Sequence, residues 1–139
     1  MPVLEIRINF DLEDGPLDPI DLLGDVRLSD GRSTIALNTT FVDTWLVALI
    51  KVLPRLRAAD HVIAENPEEP IPLRIDLDSD GRVLISNEDG AVVARSVGDL
   101  ENALRGAAGQ LLQAVGDHTD AQRNPDLAAI RQFYETSAN

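Results

Sequence analysis

Three Asp-Gly pairs, Asp30-Gly31, Asp80-Gly81 and Asp89-Gly90, do most to limit what this chain can become. Short runs of alternating apolar and polar residues flank them: 25–29 and 33–37, then 73–77, 83–86 and 91–95. Alternation of period two places one set of side chains on a core and the other in water, the pattern of a half-buried strand. Asp-Gly between two such runs marks a hairpin, because it supplies the positive φ that a type I′ turn requires. Residues 3–11 alternate as well, with Leu4, Ile6, Ile8 and Phe10 on one face. Strands grouped in runs and joined by tight turns predict antiparallel sheet.

Helices follow each run of strands. In residues 41–56 the apolar side chains cover an arc of roughly 200° on a helical projection, more than one sheet face needs. Such a helix is expected to pack on the sheet and also to meet a second helix or a twin subunit around Trp45. Asn38, Thr39 and Thr40 are candidate caps, and Pro54 is expected to kink the helix or end it early. Ser96 with Asp99 three residues on resembles a capping box for a second helix. That helix buries Leu100, Ala103, Leu104, Ala107, Leu111 and Val115 and holds Gly106 and Gly109 inside it. Asn124 as cap and Pro125 at the first helical position open a terminal helix over 124–136. The predicted order is β-β-β-α-β-β-β-α-α, an α+β fold: a two-layer antiparallel sheet of about six strands with helices on one face. It reads as a single domain over 1–139, whose halves 1–63 and 71–118 share a coarse pattern suggestive of a repeat. The proline-rich acidic stretch 64–72 connects them.

Twenty-four acidic residues against twelve basic ones give a net charge of −12, and there is no cysteine. That charge argues against non-specific contact with nucleic acid or an anionic membrane, and only five aromatics occur, too few for a nucleic-acid reader. A hydrophobic share of 44% is too high for a disordered acidic tail. The start of the chain carries charges where a signal peptide is apolar, so a cytoplasmic location is expected. Arginine outnumbers lysine eleven to one, which suggests a GC-rich, bacterial source.

No Walker loop, dinucleotide fingerprint or nucleophile elbow is present. Asp76, Asp78 and Asp80, followed by Gly81, resemble the first half of an EF-hand loop and make a weak Ca²⁺ site conceivable. Asn87 stands where a bidentate Glu belongs, and the flanks read as strands, so a plain hairpin turn is the competing account. His61 and His118 follow the first two long helices as favourable partners of helix C-termini; Asp117, His118 and Asp120 would need a distant fourth ligand to hold a metal. Thirteen of the acids crowd into 11–25 and 60–80. The leading expectation is a non-catalytic acidic interaction domain, immunity- or antitoxin-like, meeting a basic protein through Asp11, Glu13, Asp14, Asp18, Asp21, Glu65, Glu68 and Glu69. The alternative is a small-ligand or enzymatic domain built from scattered groups such as Tyr134, His61, Asp43 and Asp60, and a homodimer through the Trp45 helix is compatible with either.

Overall fold

The computed structural model describes residues 3–10, 18–19, 22–56, 58–67, 69–116 and 123–137. Its elements are β1 (Glu5–Phe10), β2 (Leu23–Ser29), β3 (Thr34–Phe41), α1 (Val42–Leu56), β4 (His61–Ala64), β5 (Leu73–Leu77), β6 (Val83–Asn87), β7 (Gly90–Ala94), α2 (Val97–Val115) and α3 (Pro125–Ser137). The fold is α+β. The strands form two antiparallel sheets, ordered β1-β2-β3 and β4-β5-β6-β7. Among the described residues there are thus seven strands, one more than the turn pattern indicates. The extra one is β4, four residues with Val62 and Ala64 buried, which pairs with β5 through His61↔Asp76 to Ala64↔Leu73. The 1–63 boundary falls inside it.

Two of the predicted turns sit where glycine is demanded, with φ of 88° at Gly31 and 84° at Gly81. They are not type I′ turns, however. Only the glycine of each pair has positive φ, and β2 and β3 are joined by a four-residue loop closed by the Asp30 N–H on the Ser33 carbonyl. Of the paired aspartates Asp30 acts through its side chain: its Oδ1 accepts from the N–H groups of Arg32 and Ser33, at 2.8 Å each. Asp78 and Asn87 do the same work at the β5–β6 and β6–β7 turns. These are local side-chain turns of the Asx kind.

The same Asp30 joins the sheets. Its Oδ2 accepts the Val93 N–H of β7 at 2.9 Å, at the place where β3 and β7 run side by side. Each long helix leans on both sheets, α1 on β2 and β4, α2 on β1 and β7. One continuous core results, with Trp45, Leu28, Ile35, Leu49, Ile75 and Leu104 fully enclosed. The wide apolar arc of α1 is covered within the chain, because α2 and α3 pack on it as well. No separate cap precedes α1. β3 runs straight into it, Thr40 Oγ1 accepts the Trp45 indole N–H at 2.8 Å, and the Val42 N–H goes to the Leu22 carbonyl. Pro54 lies inside α1 and the helix ends two residues later at Leu56, as expected for a residue that withholds an N–H.

Ser96 caps α2 by accepting the Asp99 N–H at 3.0 Å. Asp99 does not close the reciprocal half of the box on Ser96. Its carboxylate accepts the N–H groups of Arg95 and of Leu4, the residue before β1. Asn124 Oδ1 accepts the Asp126 N–H, with Pro125 in the first turn of α3, as its sequence predicts. Leu127 and Ile130 bury that helix against α1 and α2.

Candidate functional site

The acids of residues 60–80 collect around one sheet edge. β4 is the outer strand of its sheet, and it is antiparallel to β5, so its two ends coincide with the two ends of the β4–β5 pair. At one end the Asp60 carbonyl accepts the Leu77 N–H at 2.8 Å, which brings Asp60, Asp76, Asp78 and Asp80 to the same side. At the other end the chain leaves through Glu65, Asn66 and Pro67 and returns through Glu69, Pro70 and Pro72. These six residues surround a hollow of about 280 Å³. Asn66 is buried beneath it, and its carbonyl accepts the Glu69 N–H at 2.9 Å.

The carboxylates of Asp76, Asp78 and Asp80 at the first end each have a protein contact. His61 Nδ1 pairs with Asp76 Oδ1 across the strands. Asp78 accepts the N–H groups of Asp80 and Arg82 on one oxygen and the Arg82 guanidinium on the other, at 2.9 Å. The Arg82 N–H, backed by that guanidinium against a small desolvation cost, holds the Asp78 carboxyl below its ordinary value. Asp80 meets the same guanidinium at 3.4 Å. The Asp76-Asp78-Asp80 stretch therefore runs from β5 into a hairpin turn, with its oxygens turned on His61, on its own backbone and on Arg82. Among the described residues no group of three or more His, Asp or Glu side chains is placed to hold a metal ion.

Of the residues read as partner-binding, Glu65 and Glu69 flank this edge and Asp18 is exposed elsewhere on the surface. Asp11, Glu13, Asp14, Asp21 and Glu68 lie outside the described residues, as do Asp117, His118 and Asp120. Asp43, a group of the alternative reading, is buried in the first turn of α1. The Asn124 amide donates to it at 2.9 Å and to the Pro19 carbonyl at 2.8 Å, tying the start of α3 to the start of α1. Burial raises the Asp43 pKa; the Asn124 hydrogen bond opposes this and the neighbouring Asp126 charge adds to it. Tyr134 lies over Gly109, 3.2 Å from where a Cβ would stand, while His61 and Asp60 are at the sheet edge. These four groups serve different contacts, and none of them lines the cavity of about 720 Å³ between β1 and α2.

No family model, no curated protein and no solved structure matches this chain.

No described helix is long and apolar enough to cross a membrane. The β4 edge, by contrast, has a definite electrostatic character. Six described acids of residues 60–80 surround it, answered by Arg74 within the stretch and Arg82 just beyond. A short strand with charged and proline-rich ends is also how proteins keep an edge from pairing at random. That device and a selective docking edge share one chemistry, because like-charge repulsion removes wrong partners while a basic one is drawn in.

Proposed function

We propose that this protein is a non-catalytic interaction domain that binds a basic protein through the acidic edge of β4 and β5. The observation that carries this reading is the gathering of Asp60, Asp76, Asp78 and Asp80 at one end of that edge and Glu65 and Glu69 at the other. A cationic surface laid along the edge meets carboxylates at both ends of the same short strand. An immunity- or antitoxin-like role in a bacterial cytoplasm fits this arrangement, the acidic edge masking a cationic toxin. The test is capture from the source cell's lysate at about 50 mM and at about 500 mM salt, with wild type and with Glu65→Gln/Glu69→Gln/Asp76→Asn side by side. A basic protein retained by wild type at low salt, and lost both at high salt and with the triple variant, supports the reading. Identical retention by wild type and variant refutes it.

A further inference from the structure

An edge strand presents peptide N–H and C=O groups that another strand, a side chain or water must satisfy. On the outer edge of β1, α2 supplies side chains in place of a strand. Asp99 Oδ2 accepts the Leu4 N–H at 3.3 Å, as a neighbouring carbonyl would. Gln110 does more: its Oε1 accepts the Ile8 N–H at 3.2 Å and its Nε2 donates to the Ile6 carbonyl at 3.3 Å. One side-chain amide thus makes both bonds that the N–H and C=O of one residue in an adjacent strand make. Between these two anchors, strand alternation turns the Leu4 carbonyl and the Ile6 N–H the same way.

Leu4 and Ile6 both line the cavity of about 720 Å³. Its far wall is α2, with Asn102, Ala103 and Gly106 facing β1. Gly106 is an exposed glycine within a 19-residue helix, and a Cβ there would meet nothing within 4 Å. Glycine weakens a helix, and no packing at Gly106 offsets that loss. A local rule broken without a packing return is a mark of functional or strained sites. The charges of the lining pair off, Arg7 with Glu5 at 3.1 Å and Arg95 with Asp99 at 3.8 Å. In a chain of net charge −12 this groove is locally balanced and offers a free anion or cation little attraction.

From these features we infer that the β1–α2 groove binds an extended, uncharged peptide segment, one residue of which donates its N–H to the Leu4 carbonyl and accepts the Ile6 N–H with its own C=O. The ligand adds to β1 as a strand adds to a sheet edge, continuing the row that the Gln110 amide already begins. A side chain of the ligand occupies the space left open at Gly106. The site shares no residue with the β4–β5 edge, so its test is independent of the function proposed above.

The probes are acetyl-valine methylamide, an extended diamide, and its depsi analogue, in which an ester oxygen replaces the valine N–H. Each is titrated into the ¹⁵N-labelled full chain. The diamide is expected to give saturable shifts at the Ile6, Asn102 and Gly106 amides, and the analogue at least fivefold weaker binding. Gly106→Leu, which fills the groove and suits a helix, should abolish these shifts while leaving the rest of the spectrum folded. Gly106→Ala, smaller, should weaken binding by about twofold to fivefold. Shifts that rise linearly without saturating, that spare Ile6, or that persist unchanged in Gly106→Leu overturn the inference.

Discussion

Gly106 and Gly109 stand three residues apart in α2, so alanine at either position carries the same helix-propensity gain of about 0.8–1.0 kcal/mol. Their surroundings differ. At Gly106 the new methyl meets nothing within 4 Å. At Gly109 it would lie 3.2 Å from Tyr134 Cε2 and 3.6 Å from Cζ and the hydroxyl, so the ring of α3 must retreat by a few tenths of an ångström. Gly106→Ala should therefore deliver the whole gain, near 1 kcal/mol, or roughly 3–4 °C in Tm for a chain of this size. Gly109→Ala should come out at about zero, the propensity gain cancelled by overpacking against the ring. In a Tyr134→Ala background the obstacle is gone and Gly109→Ala should recover about 1 kcal/mol, a coupling of the same size between the two sites. Urea midpoints at unchanged m-value measure all of these. Equal gains at 106 and 109 in both backgrounds, or no gain at 106, would refute the assignment of open space to one glycine and ring contact to the other.

Asn124→Ala removes a helix cap and leaves the buried Asp43 carboxylate without its amide donor. A loss of about 2–3 kcal/mol is expected in denaturant unfolding, and one below about 0.5 kcal/mol contradicts the latch between α1 and α3. Burial, with Asp126 adding to it against the Asn124 amide, raises the folded-state pKa of Asp43 above its ordinary 3.8. Stability linked to the protonated group is thus complete below the unfolded pKa and is lost as pH rises through the folded one. Asp43→Asn should accordingly gain on wild type between pH 4 and pH 7; an advantage that shrinks with rising pH has the wrong sign. For Asp30, desolvation is outweighed by N–H donors from Ser33, Arg32 and Val93, and its pKa is lowered. Its contribution is present above the unfolded pKa and lost as pH falls through the folded one, so the deficit of Asp30→Asn should be largest near neutrality and close in acid. Gln110→Ala should accelerate hydrogen exchange at the Ile8 amide by about tenfold while leaving the β2–β3 amides protected; unchanged exchange at Ile8 would mean that water serves that edge equally well.

Much of the fold was legible because its signals are local. The Asp-Gly turns, the Ser96 cap and the Asn124-Pro125 start each act within four residues of chain. β4 was hidden because His61–Ala64 is too short to show a period, and its partner strand begins only after three prolines. The crowding of acids in residues 60–80 is plain in the sequence, but their arrangement around one edge depends on β4 and could not be read without it. No local signal marks Asp43; its raised pKa comes from burial, with the Asp126 charge adding to it and Asn124, 81 residues away, opposing it. Nothing local marks Gln110, whose two bonds reach back 102 and 104 residues to β1.

Asp30 shows how a residue read correctly can still be half understood. The sequence identifies it as a turn residue, and an Asn at that position would accept the Arg32 and Ser33 N–H groups through its single oxygen equally well. The second oxygen decides the matter. Oδ2 takes the Val93 N–H of the other sheet, and an Asn would place its own N–H₂ there, donor against donor. The requirement for a carboxylate thus comes from the join between sheets and not from the turn. Asp30→Asn should leave the β2–β3 hairpin formed while exposing the Val93 amide to exchange. If Val93 keeps its protection in that variant, the join between the sheets is held by side-chain packing alone.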